Sequence, residues 1–476
     1  MVDTYATARS MLADLKAKKV SARELLDAHL ARNDKIAKPI NAVIETDIAR
    51  AKKDAAAIDE ARAKGAALGV LAGLPMTIKD GFDVQNMPAA SGAPQFKDRA
   101  KDCADATVVA AARGAGAVIW GKTNVPFMLG DYQTYNVIYG TTNNPYDVTK
   151  VPGGSSGGAG AALATGVTPL EIGSDIGGSL RHPANYCGVT SLKPTWGALD
   201  GRGHIPPNPA AYYECDIGVY GPMARNVDDL KLLWSVLHGS PEQKRRDVKG
   251  SHVAVWDEEE TWPLARDVRD GVARAAAALE KSGAHVERAK PDIDGAALME
   301  TYLSLLVPII SVEYPEGLLK AFEAMREADL KLVAEGGEGA DTALSRLLAV
   351  PTYREHVAAL VRRQALKDKL ASFFARYDAI VMPIGMVPPF PHQQEPGFNE
   401  RMLDVDGEAV PYRFMLNWIS PASALHAPAL AVQAGRTAQG LPVGVQIVGP
   451  WHGEDRLFDF AVAVEDQLGG FTPPPL

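Results

Sequence analysis

Cysteine is scarce in this chain: Cys103, Cys187 and Cys215 are the three in 476 residues, far apart and in no C-x-x-C pair. So sparse a set argues against a disulfide framework or a structural zinc site, and suits a reducing cytoplasm. The ten histidines contain no H-E-x-x-H pairing, so no metal is expected. No run approaches the roughly 20 apolar residues of a membrane span, and the N-terminus lacks the apolar core of a signal peptide. Positive charge is in deficit, 49 Lys and Arg against 58 Asp and Glu, for a net charge of -9. Without a basic stretch the chain has no use for the counterion release that drives nucleic-acid binding. The expectation is a soluble cytoplasmic protein with neither nucleic acid nor membrane as partner.

Apolar residues make up 46% of the chain, enough for a large core. Residues 1–67 are rich in Ala, Lys and Glu and read as helical, with Ser21–Glu24 as a capping box. Leu74–Ile78 reads as a short buried strand ending at Lys79, and 104–117 as a helix before the strand Ala117–Trp120. A long loop rich in Gly, Asn, Pro and Ser spans Tyr139–Gly160, followed by a small-residue helix and an apolar segment over 167–173. Further on, Val253–Trp256, Ala379–Met382, Ala429–Val432 and Val443–Val448 read as strands, the last two paired around Gly440. Helices are expected at 264–281, across most of 297–376, and at the C-terminus. Such alternation argues for an α/β layer fold around a central sheet, and no repeat or linker divides it.

Two loops carry the chemistry: Gly153–Gly158 (GGSSGG) and Gly173–Arg181 (GSDIGGSLR). Each sets serine among glycines, which lets consecutive N–H groups converge on a negative oxygen as an oxyanion hole requires. Serine is a weak nucleophile and needs a base. No Lys follows the glycines, so this is not a phosphate loop. Residues 153–157 also fit G-x-S-x-G, which would make Ser155 the nucleophile of a hydrolase elbow; that elbow needs a strand directly before it, and Asn143–Pro152 reads as loop. Lys79 is ambiguous on position alone. It is either a base whose pKa falls on burial, or a surface lysine paired with the adjacent Asp80.

The stretch from Pro152 to Thr195, with GLPMTIKD around Lys79, GKTNVP at 121–126, GPMAR at 221–225 and GLPVGVQIVG at 440–449, resembles the amidase signature family. The resemblance spans nearly the whole chain, and 250–376 holds little that is diagnostic. It implies one domain over 1–476 with a central mixed β-sheet covered by helices on both faces. Within it lie a signature core at about 70–225, the N-terminal helical segment 1–67 and a helix-rich variable region 250–376. Carried over residue by residue, it implies Ser179 as nucleophile, Ser155 on a cis peptide as the bridging serine, and Lys79 as the base. The N–H groups of Ile176, Gly177, Gly178 and Ser179 would form the oxyanion hole, braced by Asp175, Arg181 and Ser156. Met128 and Gly154 would touch substrate, and no cofactor is needed.

His182 and Cys187, close to Ser179, are read as packing residues. Tyr132, Tyr135, Trp196 and Ile205 lie near the motifs, and Pro383–Pro391 is a possible rim; if several of them line the pocket, the substrate is apolar or aromatic. The function expected is hydrolysis of the C–N bond of a small apolar or aromatic amide, with an anilide, ester or carbamate as variants, through an acyl-enzyme on Ser179, with a homodimer as a possible assembly. The alternatives are an amidotransferase A-type subunit that generates ammonia for misacylated tRNA, from which Gly201–Pro207 departs, and a silent binding protein on the same fold.

Overall fold

A computed structural model describes residues 2–98, 104–206 and 214–476; Cys103 and Pro207 lie outside them. The N-terminal segment folds into the helices Ala8–Lys16, Ala22–Ile40 and Ile48–Ala63. The capping box forms as the sequence predicts. Ser21 Oγ accepts the Glu24 N–H at 3.1 Å, and the Glu24 carboxylate accepts the Ser21 N–H at 2.9 Å. Asn41, left-handed at φ 56°, ends that helix. The strand Val43–Thr46 interrupts the helical reading of this segment. Four residues show no usable period, and the strand exists because Val118–Thr123 pairs with it.

The central sheet has eight strands. Across it they run His285–Arg288, His252–Val255, Ala379–Pro383, Pro442–Val448, Ala429–Arg436, Thr190–Lys193, Val219–Ala224 and Leu170–Asp175. The first three are mutually parallel and the remaining pairings are antiparallel, so the sheet is mixed. Pro442–Val448 is buried at every position, because helices cover both faces. Helices Val227–His238, Arg266–Lys281 and Glu454–Leu468 pack together on one face, and Gly157–Ala164 with Arg181–Tyr186 on the other. The helices Gly295–Ser311, Glu316–Glu335, Ala340–Ala349 and Tyr353–Phe374 fall between two strands of this sheet. Among the described residues no helix is long and apolar enough to cross a membrane.

A second sheet sets Val118–Thr123 between Val43–Thr46 and Pro75–Lys79. Pro75–Lys79 lies against the edge strand Leu170–Asp175 of the large sheet. The ends of these two strands therefore come together, with Lys79 closing one and Asp175 the other.

Candidate active site

Pro75–Lys79 is buried at all five positions, so the strand carries Lys79 into the interior with no exposed surface. Its Nζ lies 2.8 Å from Ser155 Oγ, 3.0 Å from Ser174 Oγ and 3.4 Å from the Ser174 carbonyl. Burial pushes the amine down to about 7, against the pull of Asp175 and Glu171, whose charges favour its charged form. Asp80 does not pair with it. Asp80 is buried too, and its carboxylate meets Lys122 at 3.0 Å. The surface Lys79–Asp80 pair is thereby corrected. The next residue in an extended chain points to the other face, and there Lys122 answers it.

Ser155 follows a cis Gly154–Ser155 peptide. A side chain has no room on either glycine before it. At Gly153, φ +83°, a Cβ would sit 2.8 Å from the Pro183 nitrogen; at Gly154 it would run into the Asp131 and Gln133 carbonyls. Residues 151–153 belong to no strand, so the elbow geometry is absent. The helix Gly157–Ala164 behind Ser155 is entirely buried, which is why only Gly, Ala and Leu occupy it.

The loop bearing Ser179 is organised by Asp175. This carboxylate accepts the Gly178 N–H at 2.8 Å and the Leu180 N–H at 3.1 Å. Arg181 grips it with two bonds, of 3.0 and 2.9 Å, and itself reaches the Ile419 carbonyl, Gln446 and Ser423. Burial alone would raise the Asp175 pKa, but the Arg181 charge outweighs it and holds the carboxyl well below the usual range. The Ser156 N–H donates to the Ser179 carbonyl at 3.2 Å and ties the two serine loops together. Ser156 Oγ has no hydrogen-bond partner among the described residues.

The four N–H groups expected to form an oxyanion hole differ in what they meet. The Gly178 N–H, counted with its neighbours, is committed to Asp175. At φ +93° the glycine turns that N–H back into its own loop. The N–H groups of Ile176, Gly177 and Ser179 meet no acceptor among the described residues. Ser179 keeps 7% of its surface exposed, enough for a reactant to reach. Around Gly177 stand Tyr302 Oη, Leu416 and Tyr132 Oη, each within 3.7 Å of where a Cβ would be, and Tyr302 donates to the Ile176 carbonyl at 2.8 Å.

His182 packs edge-on against Tyr132 with ring centres 4.6 Å apart, and neither ring nitrogen has a partner among the described residues. Burial pushes its pKa down to about 3. Cys187 donates to the Pro152 carbonyl at 3.3 Å, and burial raises its pKa. Neither bonds to Ser179. Met128 is half-buried at φ 48°, its N–H on the Ser91 carbonyl, and the next side chain, Leu129, reaches Gly81. Of the aromatics near the motifs, Tyr132 stands over Gly177. Tyr135 accepts from Arg401, and Trp196 stacks on His426 at 4.6 Å. Ile205 is buried beside Ala89.

Sequence reasoning passed over Ser174, His204 and Tyr302. Ser174 sits inside a motif already read for its neighbours. Tyr302 comes from the helix-rich region that carries no motif. His204 lies in a segment noted only as a departure from one relative; its Nε2 is 2.8 Å from Ser174 Oγ.

A family model described as Amidase matches residues 24–458. The A-type subunit of glutamyl-tRNA(Gln) amidotransferase from Alkaliphilus metalliredigens is 30% identical over 96% of this chain and 95% of that protein. Indoleacetamide hydrolase of Bradyrhizobium diazoefficiens is 30% identical over 98% of this chain and 86% of its own. Among solved structures, 6-aminohexanoate cyclic dimer hydrolase superposes with a TM-score of 0.80 at 25% identity, covering 100% of this chain and 99% of that one.

Proposed function

The chain belongs to the amidase signature family, and on that premise we propose that it hydrolyses the C–N bond of a small apolar or aromatic amide through an acyl-enzyme on Ser179. The observation that carries this reading is the buried Lys79 amine, down to about 7 and 2.8 Å from Ser155 Oγ. A neutral amine there takes the Ser155 proton while Ser155 takes that of Ser179, a lysine counterpart of the serine–base logic. The Ser179 oxygen attacks the amide carbonyl, and the N–H groups of Ile176, Gly177 and Ser179 stabilise the oxyanion. The proton passes back along Lys79 and Ser155 to the leaving amine. Water then attacks the acyl carbonyl and gives its proton to Ser155 and Lys79, which return one to the Ser179 oxygen as its bond to the acyl carbon breaks and the acid leaves.

The walls support the proposed substrate class. Tyr132, Tyr302 and Leu416 around Gly177 offer apolar surface with two phenol hydroxyls. The charges beyond Tyr132 are spent on each other, Arg401 on Asp131 at 2.6 Å. A charged amino-acid amide therefore finds no free counter-charge in that pair, which favours a neutral acyl group. The relative named indoleacetamide hydrolase agrees with this choice.

The glutamyl-tRNA(Gln) amidotransferase relatives support a second reading, in which the chain supplies ammonia within a complex. The two are separated by assaying the purified chain alone against amides, anilides, esters and carbamates of graded size. Turnover of aromatic or apolar amides without any partner is the expected outcome. Activity confined to glutamine, and only when partner chains are added, would favour the second reading.

A further inference from the structure

We infer that His204 is a positioning residue for the Lys79 amine, acting through the Ser174 hydroxyl so that the amine lone pair faces Ser155. The inference rests on the catalytic reading of Lys79 given above and adds a residue to it.

The segment around His204 is fixed to the chain that follows Lys79. The Ile205 N–H donates to the Gly81 carbonyl at 2.7 Å, and the Asp83 N–H to the Gly203 carbonyl at 2.7 Å. The ring stands edge-on to Phe82 at 4.8 Å and meets Tyr220 at 5.0 Å between centres, so its plane is held from two sides. Its Nδ1 lies 3.0 Å from the Pro206 carbonyl, which can only accept, so Nδ1 carries the proton. The ring stays neutral, since burial pushes its pKa down to about 3 and the charges of Lys79 and Lys122 act the same way.

The tautomer dictates the rest. Nε2 presents a lone pair and must accept the Ser174 O–H at 2.8 Å. That hydroxyl has one proton, so towards Lys79 Nζ, 3.0 Å away, it can only accept. The second amine N–H turns to the Ser174 carbonyl at 3.4 Å. A neutral amine has two N–H bonds and one lone pair. With both N–H bonds spent, the lone pair points at Ser155 Oγ, 2.8 Å away, where the relay needs it. Without an acceptor at Nε2 the Ser174 hydroxyl is free to rotate and donate to the amine, which occupies the lone pair and stalls the relay.

The ionisable groups around the amine are Asp175, Glu171 and His204, and those around the imidazole are Lys79 and Lys122. Removing the imidazole leaves the two carboxylates in place, so the remaining change is a hydroxyl that now favours the neutral amine. The acid limb of the rate profile is then expected to move to lower pH while the plateau falls.

The test is the saturation kinetics of Ser179 labelling by a fluorophosphonate, followed across pH on the full chain. His204→Phe is expected to lower the limiting rate by about tenfold or more with the half-saturation concentration unchanged. His204→Gln, whose side-chain oxygen can accept in place of Nε2, is expected to recover most of the loss. In a Ser174→Ala background, His204→Phe should cost nothing further, because the two act as one unit. His204→Leu, which also lacks an acceptor, replaces the Phe variant if the latter fails to fold. Wild-type labelling kinetics in the His204 variant, or losses that simply add to those of Ser174→Ala, would overturn the inference and leave the catalytic reading standing. A wild-type chain that never labels at Ser179 would instead sink the catalytic reading, and His204 with it.

Discussion

A lysine with no exposed surface is costly for a fold and useful for a reaction. Burial disfavours its charged form, so Lys79 costs stability while it remains protonated. The sign is fixed by its shift. The folded value, about 7, lies below the ordinary 10.5, so between these values the unfolded chain binds the extra proton and stability rises with pH. Below about 7 both states are protonated and the whole penalty is present. Lys79→Met is therefore expected to melt higher than wild type, with the gap widest at about pH 6 and narrowing towards about pH 9. A gap that widens with pH contradicts this account of the lysine. The same titration shapes activity. The rate should rise through about pH 7 as the amine becomes a base, and a rate flat between about 6 and 9 would remove Lys79 from that role. Sequence alone left this residue open, because Asp80 beside it offered an equally good partner. The partner Asp80 takes is Lys122, on a strand that only the second sheet brings alongside.

At the scale of elements, the Ser179 loop depends on one buried ion pair. Arg181→Leu would leave Asp175 charged, buried and unpaired, at a cost of about 3–5 kcal/mol. It would also free the Gly178 and Leu180 N–H groups from their anchor. The expected outcome is a large drop in melting temperature together with loss of Ser179 labelling. A variant that melts lower yet labels normally would show that the pair braces the fold but not the loop. Elements with strong local signals were legible in the sequence: the capping box at Ser21, the apolar strand into Lys79, and the paired strands about Gly440. Val43–Thr46 was not, since its existence depends on a neighbour remote in sequence. The glycines of the two serine loops were legible, but the bond from the Gly178 N–H to Asp175 was not. Whether an amide faces a reactant or its own loop depends on φ and on the nearest carboxylate, and neither is written in the local pattern.

At the scale of the molecule, the central sheet draws strands from residues 170 to 448, with the helix-rich segment set between two of them. Unfolding any part of that sheet exposes the helices packed on it. We therefore expect one cooperative thermal transition; a separate early transition assigned to 250–376 would make that region an independent unit. Helix Gly295–Ser311 also reaches the Ser179 loop, where Tyr302 bonds the Ile176 carbonyl. A segment without motifs thus places Tyr302 beside the Ser179 loop, so a wall proposed there could not be read from the motifs. Tyr302→Phe keeps the wall and loses that bond, so it should lower the labelling rate of Ser179 more than it alters the ranking of acyl groups. The proposed chemistry meets at one oxygen, and intact-protein and peptide mass spectrometry after fluorophosphonate treatment examines it directly. A single adduct on Ser179 is expected, absent in Ser179→Ala and still formed, slowly, in Ser155→Ala. An adduct on Ser155, or none on Ser179 in a folded wild-type chain, would contradict it.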